Sequence, residues 1–196
     1  MNTTDVITYF DSLAPGWDAD MICRDDIVER ILDNAGVKAG AKVLDVACGT
    51  GVLFPYYLRR GVDSVTGVDI SPEMARIAAE KFAGCPQISV ECGDIESAEP
   101  GRRFDVVMVY NAFPHFPDAK RLIDKLSSLT KAGGRLSIAH GMSREHINEH
   151  HKGSASKVSR GLMEAEKLSA LFGSELEVDV VISDDDMYQV SGIRRG

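Results

Sequence analysis

Apolar residues recur along this chain with two alternating periods. Short apolar runs at 43–46 (VLDV), 64–70 (SVTGVDI), 88–91 (ISVE), 104–110 (FDVVMVY) and 135–139 (RLSIA) read as strands. Between them, 51–60, 72–82 and 119–129 carry apolar residues at helical spacing, and Thr50 and Ser71 stand where N-caps are expected. Strand and helix in repetition predict a parallel sheet with helices on both faces. Near the end, ELEVDVVIS and DMYQVSGIRR alternate in period two around DDD, which predicts an antiparallel hairpin closing a seven-stranded, mostly parallel sheet. Ahead of the sheet, 4–13 and 24–35 predict two helices forming a cap.

A chain of 196 residues fits one domain. It divides into a helical cap or lid over 1–36, a ligand-binding core over 37–140, and closing helices with the hairpin over 141–196. No run approaches the roughly 18 apolar residues of a membrane span. Residues 1–16 lack the basic and apolar regions of a secretory leader, so a soluble cytoplasmic protein is expected. Cys23, Cys48, Cys85 and Cys92 are scattered without a C-x-x-C pair, which supports neither a disulfide framework nor a cysteine zinc site. The net charge of −8 comes with no basic stripe, so a small molecule is the expected partner rather than nucleic acid. The segment KGSASKVSR (152–160) reads as a mobile loop.

The turn VLDVACGTG, from the first strand into a helix, places Gly49 and Gly51 where a backbone can approach a ligand closely and helix N–H groups are unpaired. No lysine follows Gly51, which removes a triphosphate loop. Phe54 stands where a dinucleotide fingerprint has its third glycine, which disfavours a pyrophosphate loop. Asp69, ending the second strand, is placed to accept hydrogen bonds from a ribose diol, and Asp94, following the third, from an adenine amino group.

The series VLDVACGTG, VTGVDIS, CGDIES and FDVVMVYNAF resembles the class I S-adenosylmethionine-dependent methyltransferases, and among them the small bacterial group of the quinone-biosynthesis C-methyltransferases. The resemblance implies a single Rossmann-like α/β domain, S-adenosylmethionine as cofactor and a small-molecule methyl acceptor. It puts Asp45, Gly49 and Gly51 along the methionine moiety, Asp69 at the ribose, Asp94 with Ile95 at the adenine and Asn111 near the methyl group, with Ala47 and Ile70 also among the cofactor-binding residues. It also implies that YFDSLAPGWD folds over the cofactor, with Tyr9, Phe10 and Trp17 covering it; the same aromatics could equally pack the first helix onto the sheet.

Four of the five histidines crowd into AHGMSREHINEHH. His115 and His140 follow the fourth and fifth strands, on the side where open parallel sheets bind ligands, and are the candidate catalytic groups, an imidazole serving near its ordinary pKa of about 6.5. Ser143 reads as the N-cap of a short helix at 146–151, on which His146 and His150 share a face while His151 points elsewhere. Three readings of the cluster stand: contact with the acceptor, a solvated helix, or a metal site of His140, His146 and His150, for which no intact ligand motif is present. For the whole chain, a nicotinamide oxidoreductase and a non-catalytic cofactor-binding module are the alternatives.

Overall fold

The computed structural model describes residues 2–20, 23–97 and 101–196. The apolar runs form strands Lys42–Val46 (β1), Ser64–Asp69 (β2), Ile88–Cys92 (β3) and Phe104–Tyr110 (β4), followed by Thr130–His140 (β5), Leu176–Ser183 (β6) and Tyr188–Arg194 (β7). They make one seven-stranded sheet in the order β3-β2-β1-β4-β5-β7-β6. All neighbours are parallel except β7, which runs antiparallel between β5 and β6. The inner strands β1, β2 and β4 are buried almost throughout, while the edge strands β3 and β6 alternate with solvent, as helices on both faces require.

β5 begins five residues before its apolar run. Residues 130–134 (TKAGG) join β4 through an irregular register between Phe104 and Val106, and Gly133 makes the bend with φ 74°. Small and polar residues carry no hydrophobic period, so the extension is silent in the sequence.

The helices are Thr3–Leu13 (α1), Trp17–Asp20 (α2), Asp25–Asn34 (α3), Phe54–Arg59 (α4), Pro72–Lys81 (α5), Ala119–Leu129 (α6), Arg144–His150 (α7) and Ala165–Leu171 (α8). Ser71 caps α5, its hydroxyl accepting from the Met74 amide at 3.2 Å, and Ser143 caps α7 in the same way through His146. Thr50 is no cap. α4 starts only at Phe54, and the Thr50 hydroxyl instead donates to Asp18 Oδ1 at 2.5 Å.

Only the first of the two N-terminal helices is a lid. α3 buries Ile27, Val28, Ile31 and Leu32 in the same cluster as Phe54 and Tyr57, so it is part of the core on one face of the sheet. On the other face, α6 and α8 pack Leu122, Leu126 and Leu168 against Leu44, Val107 and Ile138. α1 buries Val6 alone and is held by carboxylates: Asp11 Oδ1 accepts from the Ser71 hydroxyl (2.5 Å) and the Glu73 amide (3.2 Å), and Asp18 from Thr50 and from the Lys81 ammonium (2.5 Å). The segment expected to be a mobile loop is packed: Ser154–Lys157 forms a 3-10 turn, and Ala155 and Val158 are buried against Val6, Tyr9 and Phe10. Among the described residues no helix is long and apolar enough to cross a membrane.

Candidate functional site

Among the described residues two other than glycine adopt positive φ, Ala47 (54°) and Asn111 (55°), and they directly follow β1 and β4. These strands flank the point where the chain reverses its direction across the sheet, the place where open α/β sheets bind ligands. Backbone held in a sparsely populated conformation at such a point marks a built site. After Ala47, Gly49 (φ 55°) and Gly51 (φ 82°) complete the turn into α4.

Asp69 fixes this turn. Its Oδ2 accepts from the Gly49 amide at 2.8 Å and its Oδ1 from the Ser71 amide at 2.9 Å. Burial raises its pKa, the two amides pull it back, and the charge of Asp11 raises it further. Across the site Asn111 Oδ1 accepts from the Gly141 amide at 3.0 Å, tying the end of β4 to the end of β5. Asp94 Oδ1 accepts from the Glu96 amide at 2.9 Å, which orders the turn after β3.

These elements surround a cavity of about 620 Å³. Tyr9, Trp17, Ala47, Gly49, Asp69, Ile70, Asp94, Ile95 and Asn111 all line it. Asp45 and Gly51 do not. At Gly51 a Cβ would stand 2.7 Å from the Phe54 ring and 2.9 Å from that of Phe82, so this glycine makes room for a core aromatic. Asp45 is sealed beneath the loop near the Tyr57 hydroxyl, without hydrogen-bond geometry between them. Burial pushes its carboxyl up to about 8, the Tyr57 hydroxyl lowers it in part, and the charge of Asp69 adds to the rise.

Asp45 therefore makes stability depend on pH. The carboxyl is largely protonated in the folded chain at neutral pH and ionised in the unfolded one, whose pKa is about 3.9. Folding takes up a proton, so the cost begins as pH rises through about 4 and is complete above about 8. Asp45→Asn is expected to raise the melting temperature, most at pH 8, and to flatten its fall between pH 5 and 8. A pH profile identical to that of the unaltered chain would mean that the native carboxylate is already ionised.

The lid closes the cavity with aromatic edges. Phe10 packs edge-on to Tyr9 (5.2 Å), Trp17 (5.9 Å) and His115 (4.9 Å), and the His115 ring lies 5.1 Å from His151. His115, His146, His150 and His151 line the cavity, with His146 and His150 exposed at its rim. His151 belongs to the site, contrary to the helical-face argument, because it is the C-cap of α7 rather than part of its periodic face. His140 does not line it. Fully buried beside Tyr188, it has no hydrogen-bond partner on either ring nitrogen among the described residues, and burial lowers its pKa to about 3, with His115 and His151 adding to the fall. His115 is lowered to about 4, first by burial, despite a bond to the Val158 carbonyl that raises it. Neither imidazole titrates near 6.5.

The His115 tautomer follows from its partner. Only an N–H can bond the Val158 carbonyl at 2.7 Å, so His115 carries its proton on Nδ1 and keeps Nε2 as an acceptor. The Ser159 hydroxyl oxygen accepts from the Gly161 amide at 3.0 Å and is hydrogen-bonded to His151 Nδ1 at 2.7 Å. Among the described residues no three His, Cys, Asp or Glu are grouped to hold a metal ion.

The lining chemistry indicates which ligand fits. It offers Asp69, Asp94 and Glu96 but no lysine or arginine, so a pyrophosphate would go unneutralised. A hydroxyl- and amino-rich ligand with a positive centre meets acceptors throughout. Over the loop the space is open: a Cβ at Gly49 meets nothing nearer than Trp17 Nε1 at 3.9 Å.

Residues 43–134 match the family described as a methyltransferase domain. The chain is 30% identical over 164 residues to a ribosomal protein L11 methyltransferase of Laribacter hongkongensis, covering 83% of this chain and 47% of that one. It is 31% identical over 123 residues to a ubiquinone biosynthesis O-methyltransferase of Bradyrhizobium sp., covering 61% and 47%. The chain thus spans about half the length of the curated relatives it matches. Among solved structures, N-methyltransferase NodS of Bradyrhizobium japonicum in complex with S-adenosylhomocysteine shares the fold with TM-score 0.75 over 100% of both chains at 15% identity. The cyclase SpnF does so with TM-score 0.73, over 92% of this chain and 75% of its own, at 18% identity. The fold, the ordered glycine turn and the domain match agree: the chain carries a methyltransferase domain over residues 43–134, on the Rossmann-like fold of its methyltransferase neighbours.

Proposed function

We propose that the chain binds S-adenosylmethionine in the large cavity and transfers its methyl group to a small-molecule acceptor held beside His115. The observation that carries this reading is one cavity with two chemically distinct ends. An acid-lined backbone turn, without a lysine or arginine among the described residues, lies at one end, and imidazoles among Phe116, Met142 and Ile147 lie at the other. Bound there, the cofactor supplies a sulfonium methyl open to in-line displacement.

The residues divide the remaining work. Asp69 and Asp94 accept from the cofactor's hydroxyl and amino groups, and Ala47 and Gly49 present bare backbone. The lid aromatics exclude water, and Asn111 holds the β4 and β5 ends together. His115 Nε2 accepts a hydrogen bond from the acceptor and orients it. An imidazole with its pKa near 4 is a poor base at neutral pH, so the reading favours an acceptor that is acidic or needs no base.

Calorimetry with S-adenosylmethionine and S-adenosylhomocysteine, followed by an acceptor screen with labelled methyl, tests the two steps separately. The separation matters because the fold also houses a cyclase. Binding in the micromolar range is expected, with Asp69→Ala weakening it by about 1–3 kcal/mol. His115→Ala should lower turnover and leave cofactor affinity within about 0.5 kcal/mol. Tight binding of NAD with no response to S-adenosylmethionine would refute the reading.

A further inference from the structure

A second cavity, of about 480 Å³, shares the His151 imidazole as a wall with the first. Its chemistry is opposite: Lys152, Arg160, Ser156 and Ser159 line it, and among the described residues no carboxylate does. The segment 152–160 carries three cations, Lys152, Lys157 and Arg160, and no acid, in a chain with net charge −8. Arg160 makes no ion pair among the described residues. Lys152 pairs with Glu149, but both side chains are 72% exposed, so the pair is worth little and its ammonium can be recruited by an anion.

The concavity is held in shape by its own bonds. Asn148 Oδ1 accepts from the Leu162 amide at 2.6 Å and its Nδ2 donates to the Leu162 carbonyl at 3.1 Å, clamping the segment to α7. The Arg160 amide donates to the Pro114 carbonyl at 2.9 Å, so the backbone that carries this cation is anchored one residue from His115. Ser159 bridges to His151.

We propose that this basic cavity holds the anionic end, a phosphate or a carboxylate, of the methyl acceptor whose reacting end lies beside His115 in the first cavity. The inference rests on the methyltransferase reading above. Among the described residues the first cavity offers an anion three carboxylates and no lysine or arginine, so a charged acceptor finds its counter-charge outside it. A guanidinium fork and an ammonium flanked by two hydroxyls supply it, and the fork matches either anion bidentately. The His151 ring is the partition along which such an acceptor runs.

The test uses the full chain loaded with S-adenosylhomocysteine and titrated with phenylalkyl phosphates and phenylalkyl carboxylates of rising chain length, each against its parent alcohol. Beyond one length the anion should bind about tenfold tighter than the alcohol, the gain of one charge-assisted contact. Arg160→Gln with Lys152→Gln should remove that preference and leave S-adenosylhomocysteine affinity unchanged; both positions are exposed, so the fold is expected to persist. The larger of the two preferences identifies phosphate or carboxylate as the group recognised. Equal affinity of anion and alcohol at every length overturns the proposal, as does a preference that survives the double substitution. So does inorganic phosphate binding that gains nothing from the attached arene. If S-adenosylhomocysteine itself does not bind, the methyltransferase reading fails and the proposal with it. If it binds without an anion preference, the proposal alone fails.

Discussion

Gly49→Val is expected to reduce S-adenosylmethionine affinity by at least about 100-fold while the chain stays folded. Two effects combine. The residue sits at φ 55°, a conformation that costs a side-chain-bearing residue about 1–2 kcal/mol and a β-branched one more. The new methyls would also stand in the open space above the turn, where the nearest atom is Trp17 Nε1 at 3.9 Å. Nothing in the protein clashes there, so the melting temperature should fall by only a few degrees, whereas any ligand lying on the turn is displaced. A loss of about 100-fold corresponds to about 2.7 kcal/mol. Gly49→Ala should lie between the two chains. Unchanged affinity in Gly49→Val, measured by calorimetry, would place the cofactor elsewhere.

The second large effect concerns stability. At Gly67, in the middle of β2, a Cβ would lie 2.6 Å from Phe54 Cζ and 2.9 Å from Cys48 Sγ. Overpacking a closed core typically costs about 1–3 kcal/mol and occasionally more. Gly67→Val is expected near the upper end, at about 3–4 kcal/mol, and Gly67→Ala nearer about 2 kcal/mol, in urea denaturation. Because the clash is with one ring, Phe54→Leu should cost less in the Gly67→Ala background than in the unaltered chain, by about 0.5–2 kcal/mol. Strict additivity would show that the strain is relieved elsewhere. The coupling also accounts for the motif: Gly51 and Gly67 both leave room for Phe54, whose ring fills the space that a third glycine closes in a dinucleotide fold.

Much of the architecture is legible because the parallel strands are buried on both faces. β1, β2 and β4 then read as largely apolar runs, and the hairpin β6–β7 betrays its exposed edge by alternation. The failures have local causes. Asp45 shares its strand face with Val43, which packs in the Phe54–Tyr57 cluster, while Leu44 and Val46 face the other way. Period two thus carries Asp45 under the turn and out of the cavity. His140 follows Leu136 and Ile138 in the same parity, so it enters the α6–α8 side of the core against Tyr188. That signal was in the sequence, in the strand alternation rather than in the position at a strand end. His151 escaped because helical periodicity stops where α7 stops, and the partner that turns it inward, Ser159, is eight residues away in an irregular segment. Thr50 looked like a cap because a hydroxyl before a helix usually is one; its partner Asp18 comes from the lid, a tertiary contact no local rule foresees.

The attachment of that lid has a consequence for motion. α1 buries one side chain, Val6, where α3 buries four. Detaching α1 opens only the small cluster of Val6, Tyr9 and Phe10 with Ala155 and Val158, apart from the main core, and otherwise breaks hydrogen bonds that water can replace. Such a segment opens as its own cooperative unit, far below the free energy of global unfolding. Amide hydrogens of α1 should accordingly exchange orders of magnitude faster than those of α3. They should slow when a ligand fills the cavity beneath, because the helix then closes over an occupied rather than an empty floor.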